Sequence, residues 1–126
     1  MARRGMPRRR QRLTRSGDFD RVFRDGVSRS NRFLVLYAFS RDEEAGIRLG
    51  VSVGRRIGGA VERNAVKRAL REAFWATADG LEGGHDFVLV ARPDAAELVE
   101  REGTNGVKAA LEELLGGAAA GGARST

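Results

Sequence analysis

The chain has 126 residues, a formal net charge of +6 and no cysteine. This is the size of one domain with tails, and the missing thiols exclude disulfides, thiolate zinc sites and cysteine nucleophiles together. No apolar run approaches the ~20 residues that span a bilayer, and the basic N-terminus MARRGMPRRRQR lacks the apolar stretch of a signal peptide, so a cytoplasmic protein with no membrane partner is expected.

Residues 1–12 are Arg-dense and without apolar periodicity, which predicts a disordered arm. In SGDFDRVFRDG, Ser16 is suited to cap a helix, Phe19, Val22 and Phe23 recur at i, i+3 and i+4, and Gly26 supplies a stop. RFLVLYAF (32–39) reads as a strand that puts Phe33, Val35, Tyr37 and Phe39 on one face. SRDEEAG (40–46) follows as a polar connector. IRLGVSVG (47–54) alternates, with Ile47, Leu49, Val51 and Val53 on one side and Arg48, Gly50 and Ser52 on the other. These two strands are expected to pair as an antiparallel hairpin. A helix from about Val61 to Ala78, ended near Gly80, leads to a third strand, DFVLVAR (86–92). Asp94 or Thr104 can cap the helical region after it, VKAALEELL (107–115) forms the last helix, and GGAAAGGARST (116–126) is expected to fray. The folded domain is therefore placed at 13–115. Strand–helix–strand order from 47 to 91 implies a parallel pair in a mixed sheet, an α+β sandwich flanked by N- and C-terminal helices.

Charge is distributed unevenly along this plan. Residues 1–32 hold eleven Arg against Asp18, Asp20 and Asp25, and residues 48–72 hold seven cations against Glu62 and Glu72; the rest is net acidic. At about 100° per residue, Arg63, Lys67, Arg71, Asn64 and Arg68 fall within an arc of about 140° on the central helix. Val66, Ala69, Leu70 and Ala73 occupy another side, and the two glutamates lie outside the cationic arc. Like charges at i, i+4 repel, so a ridge of this kind suits a polyanion. If the two basic blocks meet in the fold they form one face for phosphates.

RNAVKRALRE, preceded by SVGRRIGGAVE, resembles the signature of the protein subunit of bacterial ribonuclease P. RLTRSGDFDRVFRDG resembles that family's N-terminal helix and RFLVLY its first long strand; DFVLVAR and a terminal amphipathic helix fall where the family has them, so the resemblance spans roughly residues 12–115. It implies an α/β sandwich whose basic helix makes a left-handed crossover between parallel strands. It also implies a partner to a catalytic RNA that, with Mg²⁺, hydrolyses the phosphodiester joining the 5′ leader to precursor tRNA. On matching positions, Arg55, Arg56, Arg63, Asn64, Lys67, Arg68 and Arg71 would face the catalytic RNA. Phe19, Phe23 and Tyr37 would line a central cleft for the single-stranded leader, although the spacing of the two phenylalanines alone favours an ordinary core. The chain departs from the family at Ala65, where many members have a third basic residue, and at Gly54, often Ser.

The resemblance makes the protein a subunit of an endoribonuclease with no catalytic residue or metal ligand of its own, no DNA partner and no obligate protein partner. The residues agree: the one histidine, His85, reads as a loop residue without a partner, and GRRIGGAVERN lacks the spacing of a phosphate-binding loop. A general RNA-binding protein, such as a ribosomal protein or chaperone, shares the charge map but predicts no aromatic cleft.

Overall fold

A computed structural model describes residues 10–41, 46–78 and 84–121. Most of the predicted arm, the acidic centre of the 40–46 connector, the Gly80 stop and the end of the predicted tail lie outside the described residues. In chain order the elements are β1 (Arg10–Arg12), α1 (Ser16–Asp25), β2 (Val27–Ser30), β3 (Leu34–Ser40), β4 (Ile47–Ser52), a 3-10 turn (Arg55–Ile57), α2 (Ala60–Thr77), β5 (His85–Ala91) and α3 (Asp94–Gly121). The strands form one mixed sheet in the order β1-β4-β5-β3-β2. This is the expected α+β architecture, with α2 crossing between the parallel strands β4 and β5.

The expected hairpin of β3 with β4 does not form. Strand β5 lies between them, antiparallel to β3 and parallel to β4. The reason is its composition: Phe87, Val88 and Leu89 are buried in succession, so side chains on both faces are covered. A continuous apolar run needs cover on both sides and takes the middle of a sheet. The strands beside it are more exposed and can lie nearer the edges.

Three other boundaries differ from expectation. Arg10–Arg12, assigned to the arm, pair in parallel with Ile47–Leu49, and Leu13 extends the pairing by donating its N–H to the Leu49 carbonyl (2.9 Å). An edge strand of this kind is held by backbone bonds, so its side-chain pattern does not announce it. Strand β2 is hidden in the sequence for the same reason: VSRS is mostly exposed and is recruited by antiparallel pairing with Val35–Ala38. Ser16 is the first helical residue of α1, not its cap; Arg15 holds the cap position without a side-chain bond, and its carbonyl accepts from Asp18 and Phe19.

Helix α3 is two helical segments joined at Gly103, whose φ of 65° lies in the left-handed region that glycine adopts at little cost. Thr104 beside it donates to Glu72 Oε1 (2.8 Å) and so ties the second segment to α2. The helix continues to Gly121, past the predicted start of the tail.

Packing divides into two layers. On one face of the sheet α2 and α3 cover Leu34, Leu36, Leu49, Phe87 and Leu89 with Val66, Leu70, Phe74, Val107 and Leu111. Phe33, which precedes β3, joins this core instead of sharing the face of Tyr37 and Phe39. On the other face α1 covers a smaller cluster of Leu13, Val22 and Val88, with Phe19, Tyr37, Phe39 and Val90 partly buried around it.

Candidate nucleic-acid interface

The first turn of α2 is built by its own sequence. Glu62 reaches back to accept the Gly59 N–H (3.0 Å), while Arg63 donates to the Gly58 carbonyl (3.0 Å), so this turn is stitched to the preceding loop. Val66, Ala69, Leu70, Ala73 and Phe74 are buried, as the helical period requires. Asn64 and Arg68 are exposed; Arg63, Lys67 and Arg71 are half-buried along the border with the core. Arg55 and Arg56 are exposed on the 3-10 turn just before the helix. Their charge adds to the positive end of the helix dipole.

No carboxylate among the described residues forms an ion pair with Arg55, Arg56, Lys67, Arg68 or Arg71. Glu62 is engaged at the cap and Glu72 with Thr104, so the acids of this helix do not neutralise the ridge. Arg71 is held below the ordinary arginine range, first by burial and then by repulsion from Arg12. That repulsion locates one junction between the two basic blocks: β1 brings Arg12 to the side of the sheet that α2 covers.

The aromatic candidates lie on the opposite face of the sheet. Phe23 meets Tyr37 edge-on with ring centroids 4.9 Å apart, and Phe19 stands 6.3 Å from Phe23, so the three form one continuous patch along α1 and β3. Their environments differ. Phe19 and Tyr37 are half-buried against Val22 and Val88, whereas Phe23 is 41% exposed. Phe19 therefore belongs to a core as well as to the patch, and Phe23 is the ring open to a ligand. The patch is separated from the α2 ridge by the sheet, so the sequence candidates make two surfaces.

Phe19 can approach the sheet because Gly50 lies beneath it. A Cβ on Gly50 would stand 2.5 Å from Phe19 Cζ and 3.3 Å from the Leu13 Cβ. Gly50→Ala is thus expected to lift the ring and destabilise the fold by about 1–3 kcal/mol, the usual range for overpacking, measurable by urea denaturation.

Next to the patch is a charged chain with no signature in the local sequence. Asp86 is fully buried. Arg48 meets it bidentately, Nε to Oδ1 and Nη2 to Oδ2, each at 2.8 Å. Arg41 Nε lies 2.6 Å from Asp86 Oδ1 but off the hydrogen-bonding direction, and its Nη2 donates to the Gly46 carbonyl (2.9 Å). The third nitrogen of Arg48 reaches Asp18 on α1 (3.3 Å), Asp18 accepts from Arg21 (3.0 Å), and the Arg21 guanidinium lies 5.6 Å from the centre of the Phe39 ring. The hydrogen bond to Asp86 is the largest influence on Arg48 and outweighs burial, so its proton is held more tightly than in an ordinary arginine. A raised folded-state value stabilises the fold at all pH below the unfolded arginine value, so Arg48 stays charged through the working range.

His85 is not a loop residue. It opens β5, stacks on Phe87 with centroids 5.4 Å apart and sits 3.3 Å from Ser40 Oγ through Nε2. Its register opposite Ser40 results from β5 lying next to β3. A cavity of about 240 Å³ lies elsewhere, between Arg32, Phe33 and the first segment of α3; its charges are partly paired internally, Arg32 with Asp94 and Arg101 with Glu97. Among the described residues no group of three or more acidic or histidine side chains could hold a metal ion, and no helix is long and apolar enough to cross a membrane.

Comparison with known proteins agrees with this architecture. The family model described as Ribonuclease P matches residues 6–115. A ribonuclease P protein component of Bacillus cereus (strain G9842) is 37% identical over 95 residues, covering 75% of this chain and 83% of the relative. The solved RNase P protein of Staphylococcus aureus superposes with a TM-score of 0.71 at 32% identity, over 83% of this chain and 92% of that one. That of Thermotoga maritima gives 0.71 at 33% identity, over 83% and 94%. With a basic helix crossing between parallel strands, an aromatic patch across the sheet and a match along nearly the whole folded region, the chain belongs to the ribonuclease P protein family.

Proposed function

We propose that the protein binds the catalytic RNA of ribonuclease P through the α2 ridge with Arg55 and Arg56, and holds the single-stranded 5′ leader of precursor tRNA on the Phe19–Phe23–Tyr37 patch. The observation that carries the first half is the unneutralised ridge: cations crowd one helix face while Glu62 and Glu72 are engaged elsewhere. Phosphate contacts of this kind supply affinity and orientation without reading sequence. The second half is supported by an exposed ring beside two half-buried ones, since stacking grips single strands with little regard to base identity. A subunit that serves every precursor tRNA needs that indifference.

Hydrolysis of the leader phosphodiester is assigned to the RNA in the cytoplasmic ribonucleoprotein. We assign Mg²⁺ to the RNA as well; on this chain Asp18 and Asp86 are already engaged by guanidinium groups and do not suit a divalent ion.

Reconstitution tests the reading. Purified protein, a bacterial ribonuclease P RNA and a precursor tRNA with a labelled leader are combined at limiting Mg²⁺. Correct 5′ cleavage is expected from protein and RNA together, and none from the protein without RNA. Tight RNA binding without stimulated cleavage would favour a general RNA-binding protein instead.

A further inference from the structure

We propose that Arg48 is a positioning residue for the leader-binding patch, fixing α1 over the sheet through Asp18. The proposal rests on the reading of Phe19, Phe23 and Tyr37 as the leader surface. Helix α1 has one fully buried side chain, Val22. With Phe19 half-buried beside it over Gly50, the apolar contact runs along one line of a ten-residue helix, which leaves α1 free to roll about that line and carry Phe23 with it. The charged chain removes that freedom. Arg48 commits two nitrogens to the buried carboxylate of β5 and the third to Asp18, the residue immediately before Phe19. Asp18 in turn holds Arg21 at the Phe39 ring.

A plain structural pair between β4 and β5 would not need this outer link. Those strands are already joined by a parallel backbone ladder from Ile47–His85 to Ser52–Val90. The fork is also specific to arginine: a lysine presents one point charge and cannot face two carboxylates in fixed directions at once. Arg21 and Arg48 both face Asp18, and the Arg21 guanidinium also lies over the Phe39 ring beside the patch.

The test uses Asp18→Ala, which cuts the outer link and leaves Asp86 with both arginines, in holoenzyme assembled with ribonuclease P RNA. The readout is leader discrimination, the affinity for precursor tRNA divided by that for mature tRNA. Asp20→Ala is the control, since Asp20 is exposed on the same helix and carries the same charge. Electrostatics alone predicts that removing either acid raises affinity for the leader. Positioning predicts that Asp18→Ala lowers discrimination by about fivefold, within the range of a partly buried charge pair, while Asp20→Ala leaves it level or higher and RNA-subunit affinity is unchanged in both. Arg48→Lys, which keeps the charge and loses the fork, is expected to behave like Asp18→Ala.

Phe23→Ala separates the two ideas. If it lowers discrimination and Asp18→Ala does not, the positioning role is wrong and the leader surface stands. If neither lowers it, the leader surface is wrong and the positioning role falls with it. An equal loss in Asp20→Ala would also overturn the proposal, because the effect would then be charge and not geometry.

Discussion

Alanine at both Lys67 and Arg68 is expected to weaken binding to ribonuclease P RNA by roughly 10- to 100-fold at moderate salt and to lower the log–log salt slope by about two, one for each phosphate left without its cation. The effect is large because the ridge has no internal compensation. In most surface helices a deleted cation frees a neighbouring glutamate, and the two changes partly cancel. Here Glu62 and Glu72 are engaged at the cap and with Thr104, so nothing offsets the deletion. Stability is expected to change by less than about 0.5 kcal/mol, the usual range for surface substitutions, since Arg68 is exposed and Lys67 half-buried with no carboxylate partner among the described residues. The measurement is RNA-subunit binding from low to high salt, beside a urea melt of each variant. Unchanged affinity with an unchanged slope would move the RNA interface off this helix.

The second large effect is on stability. Arg48→Met is expected to destabilise the fold by about 3–5 kcal/mol, the range for removing one partner of a buried ion pair. What remains is a fully buried Asp86 facing only Arg41, which approaches it off the hydrogen-bonding direction. Against a typical domain stability of about 5–15 kcal/mol, that is a large share of the total. The double variant Arg48→Met/Asp86→Leu carries the diagnostic. If the cost lies in a stranded charge, removing the charge as well recovers much of it, and the double melts above the single. If Arg48 acts only through the packing of its methylenes, the double is no better than the single. Urea denaturation of both variants decides between these outcomes.

Both effects trace to cations, yet only one of the two sites is visible in the amino-acid order. Arg63, Asn64, Lys67, Arg68 and Arg71 declare themselves because a helix repeats every 3.6 residues and their spacing falls on that period. Arg48 is visible only as a charge on the polar side of an alternating strand, which suits solvent as well as it suits a buried partner. Asp86 reads as the polar start of a strand. A buried charge is paired almost without exception, but burial itself is not written in either segment. The partnership spans 38 residues of chain and depends on β5 lying against β4.

The aromatic residues make the same point. Phe19 and Phe23 share one spacing, but Gly50 draws Phe19 onto the sheet while Phe23 stays at the surface. No local pattern separates them, because the deciding residue is on another strand.

By itself, then, the sequence determined the alternation of helices and strands, the cationic face of α2, the absence of thiol chemistry and the family signature. All of these are periodic or compositional properties carried within one segment. The tertiary structure alone decided that β5 lies between β3 and β4, that Arg10–Arg12 close the sheet edge, that the aromatic patch and the ridge occupy opposite faces, and that Asp86, Arg48 and Asp18 link the sheet to α1. Those outcomes depend on which apolar strand most needs cover on both sides and on which charges burial then forces together, and both are settled by contacts between segments far apart in the chain.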